Sequence, residues 1–135
     1  MPHSIQDLAD LTAAAAASLQ DLGVSSTEQL LLHTGTSAER SALAERIGAS
    51  AQQVLAWANE ADLMRIPGVG TSSTQLLEAA GVTGLGELAA RNAEQLSARM
   101  AEVNAELGLT HGVPATGEVA AWIEAARQKL PLVGP

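Results

Sequence analysis

The sequence predicts an all-α protein, a compact bundle of short helices, and three observations lead to this prediction. Alanine and leucine, both strong helix formers, account for 27 and 19 of the 135 residues. Alternating β-branched and aromatic runs, which are typical of strands, are not visible, and Phe and Tyr do not occur. Signals for helix starts and helix ends recur at short intervals along the whole chain.

The predicted helix starts are Ser, Thr or Asn residues with an acidic residue or Gln three positions later. Such a pair satisfies the free amides of the first helical turn. The pairs are Ser4–Asp7, Ser25–Glu28, Thr36–Glu39, Ser50–Gln53 and Asn92–Gln95. Helices are predicted to end where a glycine supplies the left-handed residue that closes a helix. These glycines are Gly23, Gly48, Gly81 and Gly108, and Pro131 follows the last helix.

Two segments of the chain resemble copies of one unit. Residues 19–24 (LQDLGV) parallel residues 77–82 (LEAAGV) at an offset of 58 positions. Near the end of each unit a tryptophan follows a valine, in VLAW and VAAW. We therefore predict two helical pseudo-repeats, residues 1–62 and 63–130, and a C-terminal tail, residues 131–135.

Both tryptophans lie on apolar stripes with the spacing of a buried helix face, so Trp57 and Trp122 are predicted to be core anchors. A third stripe is formed by Leu96, Met100, Val103 and Leu107. The alanine run at residues 13–17 is compatible with a helix in the core of the protein. It is equally compatible with close packing between the helices of two associated protein molecules.

Residues 66–70 read Ile-Pro-Gly-Val-Gly and lie between two predicted helices. Glycines in such a turn allow positive φ and close approach of another backbone, and the amides of the next helix point outward. The pattern resembles the helix-hairpin-helix motif, whose hairpin amides grip a DNA phosphate in many members. By this resemblance Gly68, Val69, Gly70, Thr71 and Ser72 are the phosphate-binding positions.

The charges near this hairpin depart from the pattern of DNA-binding members. Residues 71–74 contain no Lys or Arg, and the nearest cation is Arg65. In the first pseudo-repeat Asp10 occupies the place of Gly68, where its charge would repel a phosphate. The whole chain has a net charge of −8, with only seven Lys and Arg. These features favour a hairpin that serves as a structural turn.

Residues 100–104 (MAEVN) and 119–123 (VAAWI) resemble the C-terminal signature of an uncharacterised bacterial family with tandem helix-hairpin-helix units, similar to the SAM fold. The resemblance covers residues 60–129 well and the first pseudo-repeat more loosely. It implies a helical fold of two hairpin units, the first of them degenerate. The family is a domain of unknown function, so the resemblance implies no activity.

Several function classes are excluded or disfavoured by the composition. The absence of cysteine excludes disulfides, thiol catalysis and Cys-ligated zinc. His3, His33 and His111 have no metal-ligand spacing, and no nucleophile motif occurs. We therefore predict no catalytic residue, no metal site and no cofactor. No 18-residue apolar run or basic leader is present, so we expect no membrane association and a cytoplasmic location.

Three functions are consistent with these features. The first is a non-catalytic interaction or scaffold module that contacts a protein partner or a second copy of itself. Only 16% of the residues are charged, so some apolar surface is expected to remain uncovered. The second is weak, sequence-independent DNA binding through the hairpin amides. The third is binding of a small ligand in a pocket between the two pseudo-repeats.

Overall fold

The computed structural model of the chain describes residues 3–134, which fold into helices joined by short loops. A 3-10 turn at Ile5–Asp7 comes first, and no β-strand occurs within 3–134. The α-helices of this part of the chain are α1 (Ala13–Asp21), α2 (Thr27–Leu32), α3 (Ser37–Ile47), α4 (Ala51–Leu63), α5 (Thr71–Ala79), α6 (Leu85–Ala89), α7 (Ala93–Leu107) and α8 (Thr116–Arg127). The prediction of an all-α fold of short helices is confirmed.

Helices α3, α4 and α7 begin where the sequence pairs predict. The side chains of Thr36, Ser50 and Asn92 each accept a hydrogen bond of 3.1 Å from the amide three residues later. In α4 the Gln53 side-chain oxygen also accepts a 2.9 Å hydrogen bond from the Ser50 amide, which completes a capping box.

One predicted helix start is wrong, and another begins a 3-10 turn and no α-helix. Helix α2 begins one residue late, because the Ser25 carbonyl accepts the Ile5 amide at 3.1 Å and Ser26 then becomes the cap. Ser26 forms a capping box with Gln29. Ser4 caps only the 3-10 turn, whereas α1 is capped by Thr12, whose hydroxyl oxygen accepts a hydrogen bond from the Ala15 amide at 3.1 Å.

The predicted glycine helix ends are confirmed. Gly48 and Gly108 end α3 and α7 in the left-handed region, with φ of +72° and +61°. A side chain at such a φ would be strained, so glycine allows the chain to reverse without that cost. Gly23 and Gly81, which follow α1 and α5, also have positive φ.

The buried apolar side chains form two clusters. One is built from residues between Ile5 and Met64, and the other from residues between Leu63 and Ala126. Trp57 is 1% exposed in the first cluster and Trp122 is 5% exposed in the second, so both are core anchors as predicted. Helix α4 packs against α2 and α3, and α8 packs against α6 and α7.

Two apolar patterns are only partly buried. Leu107, predicted to continue the stripe of α7, is 59% exposed, because it is the last residue of the helix and lies one turn beyond the buried Val103. In the alanine run at the start of α1, only Ala15 and Ala16 are buried. None of the helices within 3–134 is both long enough and apolar enough to cross a bilayer.

The two clusters are held together by polar contacts that cross between them. The loop before α1 contacts the start of α5, where the Thr71 hydroxyl donates a 2.6 Å hydrogen bond to the Asp7 carbonyl. The C-terminal segment returns to the first cluster, and Gly134 donates its amide to the Gly35 carbonyl at 2.8 Å. Within the first half of the chain, the His3 carbonyl accepts the Thr27 amide at 2.9 Å and so joins the start of the described chain to α2.

Candidate functional site

The hairpin between α4 and α5 is closed by a tight turn. The Val69 amide donates to the Ile66 carbonyl at 3.1 Å, which brackets Pro67 and Gly68. Proline in the second position and a glycine with φ of +89° in the third are the signature of a type II turn. Ile66 and Val69 are buried, whereas Pro67 and Gly68 are exposed. The apolar residues therefore fix the turn to the core, and its tip faces solvent.

The predicted phosphate-binding positions differ in what they present. Gly68 and Ser72 are exposed, Gly70 and Thr71 are half-buried, and the Val69 side chain is 1% exposed. Gly70 is the N-cap of α5 and no side chain caps this helix. Its first amides are therefore not satisfied by a capping side chain, as an anion site at a helix start would require.

Three polar side chains around the start of α5, those of Thr71, Thr74 and Arg65, form hydrogen bonds within the protein. The Thr71 hydroxyl donates to the Asp7 carbonyl at 2.6 Å, and the Thr74 hydroxyl donates to the Thr71 carbonyl at 2.8 Å. Arg65, the nearest cation in the sequence, donates from Nη1 to the Asp62 carboxylate at 2.7 Å and to the Leu130 carbonyl at 2.9 Å. These contacts join the hairpin to other parts of the chain.

An apolar groove of about 380 Å³ lies between the exposed tip of the hairpin and α8. We call it the hairpin groove, and it is lined by Ile66, Pro67, Gly68, Glu118, Ala121, Trp122 and Ala125. A Cβ at Gly68 would lie 3.5 Å from Nε1 of Trp122, so the turn and the tryptophan are in close approach. Glu118 is the only charged residue among the lining residues.

A cluster of three carboxylates forms where the two halves of the chain meet. Asp10 comes from the loop before α1, Glu60 from α4 and Glu78 from α5. One oxygen of each lies within 4.8 Å of one oxygen of the other two. Asp10 is exposed, Glu78 is half-buried and Glu60 is 1% exposed. We call this group the carboxylate cluster.

Burial and like charge act together on this cluster. Desolvation by burial, together with contacts to Asp10 and Glu78, raises the pKa of Glu60 to about 10. Burial is also the main cause that raises the pKa of Glu78, and the charge of Asp10 adds to it. Hard oxygen ligands in this arrangement can share a proton or coordinate a cation.

The sequence analysis did not single out this group, because its members are far apart in the chain. The one local signal is the position of Glu60, three residues after Trp57 on α4. Such spacing places Glu60 beside the apolar face. Residues 60–63 are all buried, because α4 packs against α2 and α3 on one side and against α6 of the other half.

The family model for a domain of unknown function, DUF4332, matches residues 9–129, which include the hairpin and all three carboxylates. The chain belongs to the DUF4332 family. No curated protein and no solved structure shows significant similarity to it. The function of this DUF4332 domain therefore has to be argued from the chemistry of its own surfaces.

Proposed function

We propose that this DUF4332 domain is built from two copies of a helix-hairpin-helix unit, α1–α4 and α5–α8. Helices α1 and α5 both have nine residues, and their first residues, Ala13 and Thr71, are separated by the offset of the sequence repeat. The packing partners also correspond, since α2 and α3 pack on α4 as α6 and α7 pack on α8. In this interpretation the first hairpin is degenerate and only the second retains the Pro-Gly turn.

The function that we propose for the chain is a non-catalytic protein-interaction module, with the hairpin groove as its binding surface. The observation that carries this proposal is the orientation of the hairpin. Its polar groups at Thr71 and Arg65 are used inside the protein, whereas the exposed tip, Pro67 and Gly68, borders an apolar groove. Exposed apolar surface of this kind is typical of partner-binding sites.

The charges define the partner that suits this surface. The chain carries a net charge of −8, and Glu118 lies in the groove beside Trp122 and Ala121. A protein segment with apolar side chains and one basic residue would complement both features. A polyanion would meet a chain with a net charge of −8 and only seven Lys and Arg residues, so nucleic acid is the weaker candidate.

The test is site-directed photocrosslinking in the cells that make the protein, followed by charge substitution. A photoreactive amino acid in place of Ala121, in the groove, is expected to yield a discrete crosslinked protein or a crosslinked dimer. The same amino acid at Ala98, exposed on α7, serves as the control. We expect Ala125→Glu to abolish the crosslink from position 121 and Ala98→Glu to leave it unchanged. Equal products from both positions would contradict the proposal.

Weak DNA binding is the second candidate, and it is favoured by the uncapped start of α5. Gly70 has φ of −124°, and a Cβ at this residue would meet no atom within 4 Å, so Gly70→Glu and Gly70→Ala should both fold. Fluorescence anisotropy of labelled DNA at low and physiological salt distinguishes the functions. Salt-sensitive binding that is lost in Gly70→Glu and kept in Gly70→Ala would favour the DNA function; we expect no binding.

A further inference from the structure

The carboxylate cluster contains a buried charge-bearing group whose hydrogen-bonding needs are unmet. Neither carboxylate oxygen of Glu60 has a hydrogen-bond partner, although the residue is 1% exposed. Buried polar atoms are nearly always paired, so each exception asks for an explanation. Ionised carboxylates only accept hydrogen bonds, so Asp10 and Glu78 cannot satisfy Glu60 while all three are charged.

Two occupants resolve this conflict, a shared proton or a cation. A proton would neutralise one carboxyl group and leave two carboxylates side by side. A divalent cation would neutralise more of the charge and give an oxygen of each residue a partner. The spacing suits a cation, because ligand oxygens about 2.3–2.6 Å from a Ca²⁺ ion lie no more than about 5 Å apart. The three oxygens here lie within 4.8 Å of one another.

We propose that Asp10, Glu60 and Glu78 form a site for a hard divalent cation of the Ca²⁺ type. The donors are all carboxylate oxygens, the ligands that Ca²⁺ prefers, and no His or Cys takes part. Three protein carboxylates are more than Mg²⁺ usually takes, since Mg²⁺ keeps several waters and binds one or two carboxylates. Asp10 is exposed, so an ion and its remaining water ligands can reach the site.

The site would act as a clamp between the two halves of the chain. Its ligands come from the loop before α1, from α4 and from α5, so one ion would hold the first hydrophobic cluster to the second. The Thr71–Asp7 hydrogen bond already joins the 3-10 turn, three residues before Asp10, to the same helix. Because the ion binds only the folded arrangement of these three residues, it should raise the stability of the native state.

The experiment is isothermal titration calorimetry of CaCl₂ into the full chain after removal of metals with EDTA. We expect the titration to show one ion bound per chain. Thermal unfolding supplies an independent readout, with a rise in Tm of roughly 10 °C at a hundredfold excess over Kd. MnCl₂ and MgCl₂ titrations establish the metal preference.

Matched variants assign the site. Glu60→Gln keeps the side-chain shape and is expected to weaken Ca²⁺ binding by at least about tenfold, whereas Glu106→Gln, exposed on α7, should bind like the wild type. The absence of heat and of any Tm change with about 5 mM Ca²⁺, Mn²⁺ or Mg²⁺ would overturn the proposal. Unchanged binding in Glu60→Gln would do the same. The wild-type titration decides the question even if the variant does not fold.

Discussion

Asp62 and Arg65 form an ion pair of 2.7 Å at the end of α4, and this pair also holds the C-terminal tail. Asp62 is 1% exposed, and its second carboxylate oxygen accepts the Leu132 amide at 3.0 Å. Arg65 donates to the Leu130 carbonyl at 2.9 Å. The residues that follow α8 are therefore fixed to the hairpin through two side chains, one of each charge.

We expect Asp62→Ala to lower the free energy of unfolding by about 2 kcal/mol, because hydrogen bonds to a charged, buried acceptor are among the stronger ones. Urea denaturation measures this loss, and Asp21→Ala, exposed at the end of α1, is the control. The tail should also become a better substrate for carboxypeptidase. The effects of Asp62→Ala and of removing residues 130–135 on the free energy of unfolding should therefore not be additive. Full additivity would show that Asp62 does not hold the tail.

Gly68→Ala is expected to destabilise the protein by about 1–2 kcal/mol, because the φ of +89° at this turn position is unfavourable for any residue with a Cβ. Gly86→Ala is the matched control, since Gly86 lies within α6 and a Cβ there would meet no neighbouring atom. Alanine is the better helix former, so this control should gain up to about 1 kcal/mol. Chemical denaturation of both variants measures the difference; equal effects would show that the turn tolerates a side chain.

Glu60→Gln is expected to change the pH dependence of stability in metal-free buffer. Glu60 ionises near 4.5 in the unfolded chain but keeps its proton up to about pH 10 in the folded protein. Unfolding therefore releases a proton between these values, and the contribution of Glu60, full below pH 4.5, is lost as pH rises. Relative to Glu60→Gln, the wild type should lose up to about 1.4 kcal/mol per pH unit.

Urea denaturation at pH 5, 7 and 9 in the presence of EDTA measures this loss. Glu106→Gln is the control, because its carboxylate is exposed and its removal should leave the slope of stability against pH unchanged. Parallel curves for the wild type and Glu60→Gln would mean that Glu60 is ionised in the folded protein, contrary to this prediction.

The correct cap of α2 is testable with two neighbouring serines. Ser26→Ala should lower the free energy of unfolding by about 1 kcal/mol, because the Ser26 hydroxyl oxygen accepts the Gln29 amide at 3.1 Å. Ser25→Ala should cost less, since the Ser25 hydroxyl only contacts the exposed Gln29 side chain. Thermal unfolding of the two variants ranks the residues, and a larger loss for Ser25→Ala would assign the cap to the sequence-predicted position.

Local features of the fold were predictable because they depend on residues that are close in sequence. Caps such as Thr36 and the left-handed glycines such as Gly48 act within one helical turn, and the apolar stripe around Trp57 follows from helix periodicity. The capping role of Ser26 was not predictable, because the backbone hydrogen bond between Ser25 and Ile5, two residues far apart in sequence, shifts the start of α2.

The candidate site also has one part that was predictable from the sequence and two parts that were not. The Pro67–Gly68 turn is a contiguous motif and is visible in the sequence. The hairpin groove needs the packing of α8 against the turn, and the carboxylate cluster needs Asp10, Glu60 and Glu78 from three different elements. No pairwise spacing in the sequence encodes such a meeting, because it results from how the two halves pack.

Hydrogen bonds fix both ends of the described chain to residues at or near the same helix, α2. His3 is tied to the first residue of α2, and Gly134 is tied to Gly35, just beyond the end of the same helix. Helix α2 rises about 7.5 Å from Thr27 to Leu32 and three more residues reach Gly35, so the two anchor points are at most roughly 18 Å apart. A few added residues would span that gap, so a circularly permuted chain opened at the exposed Pro67 should keep the same architecture.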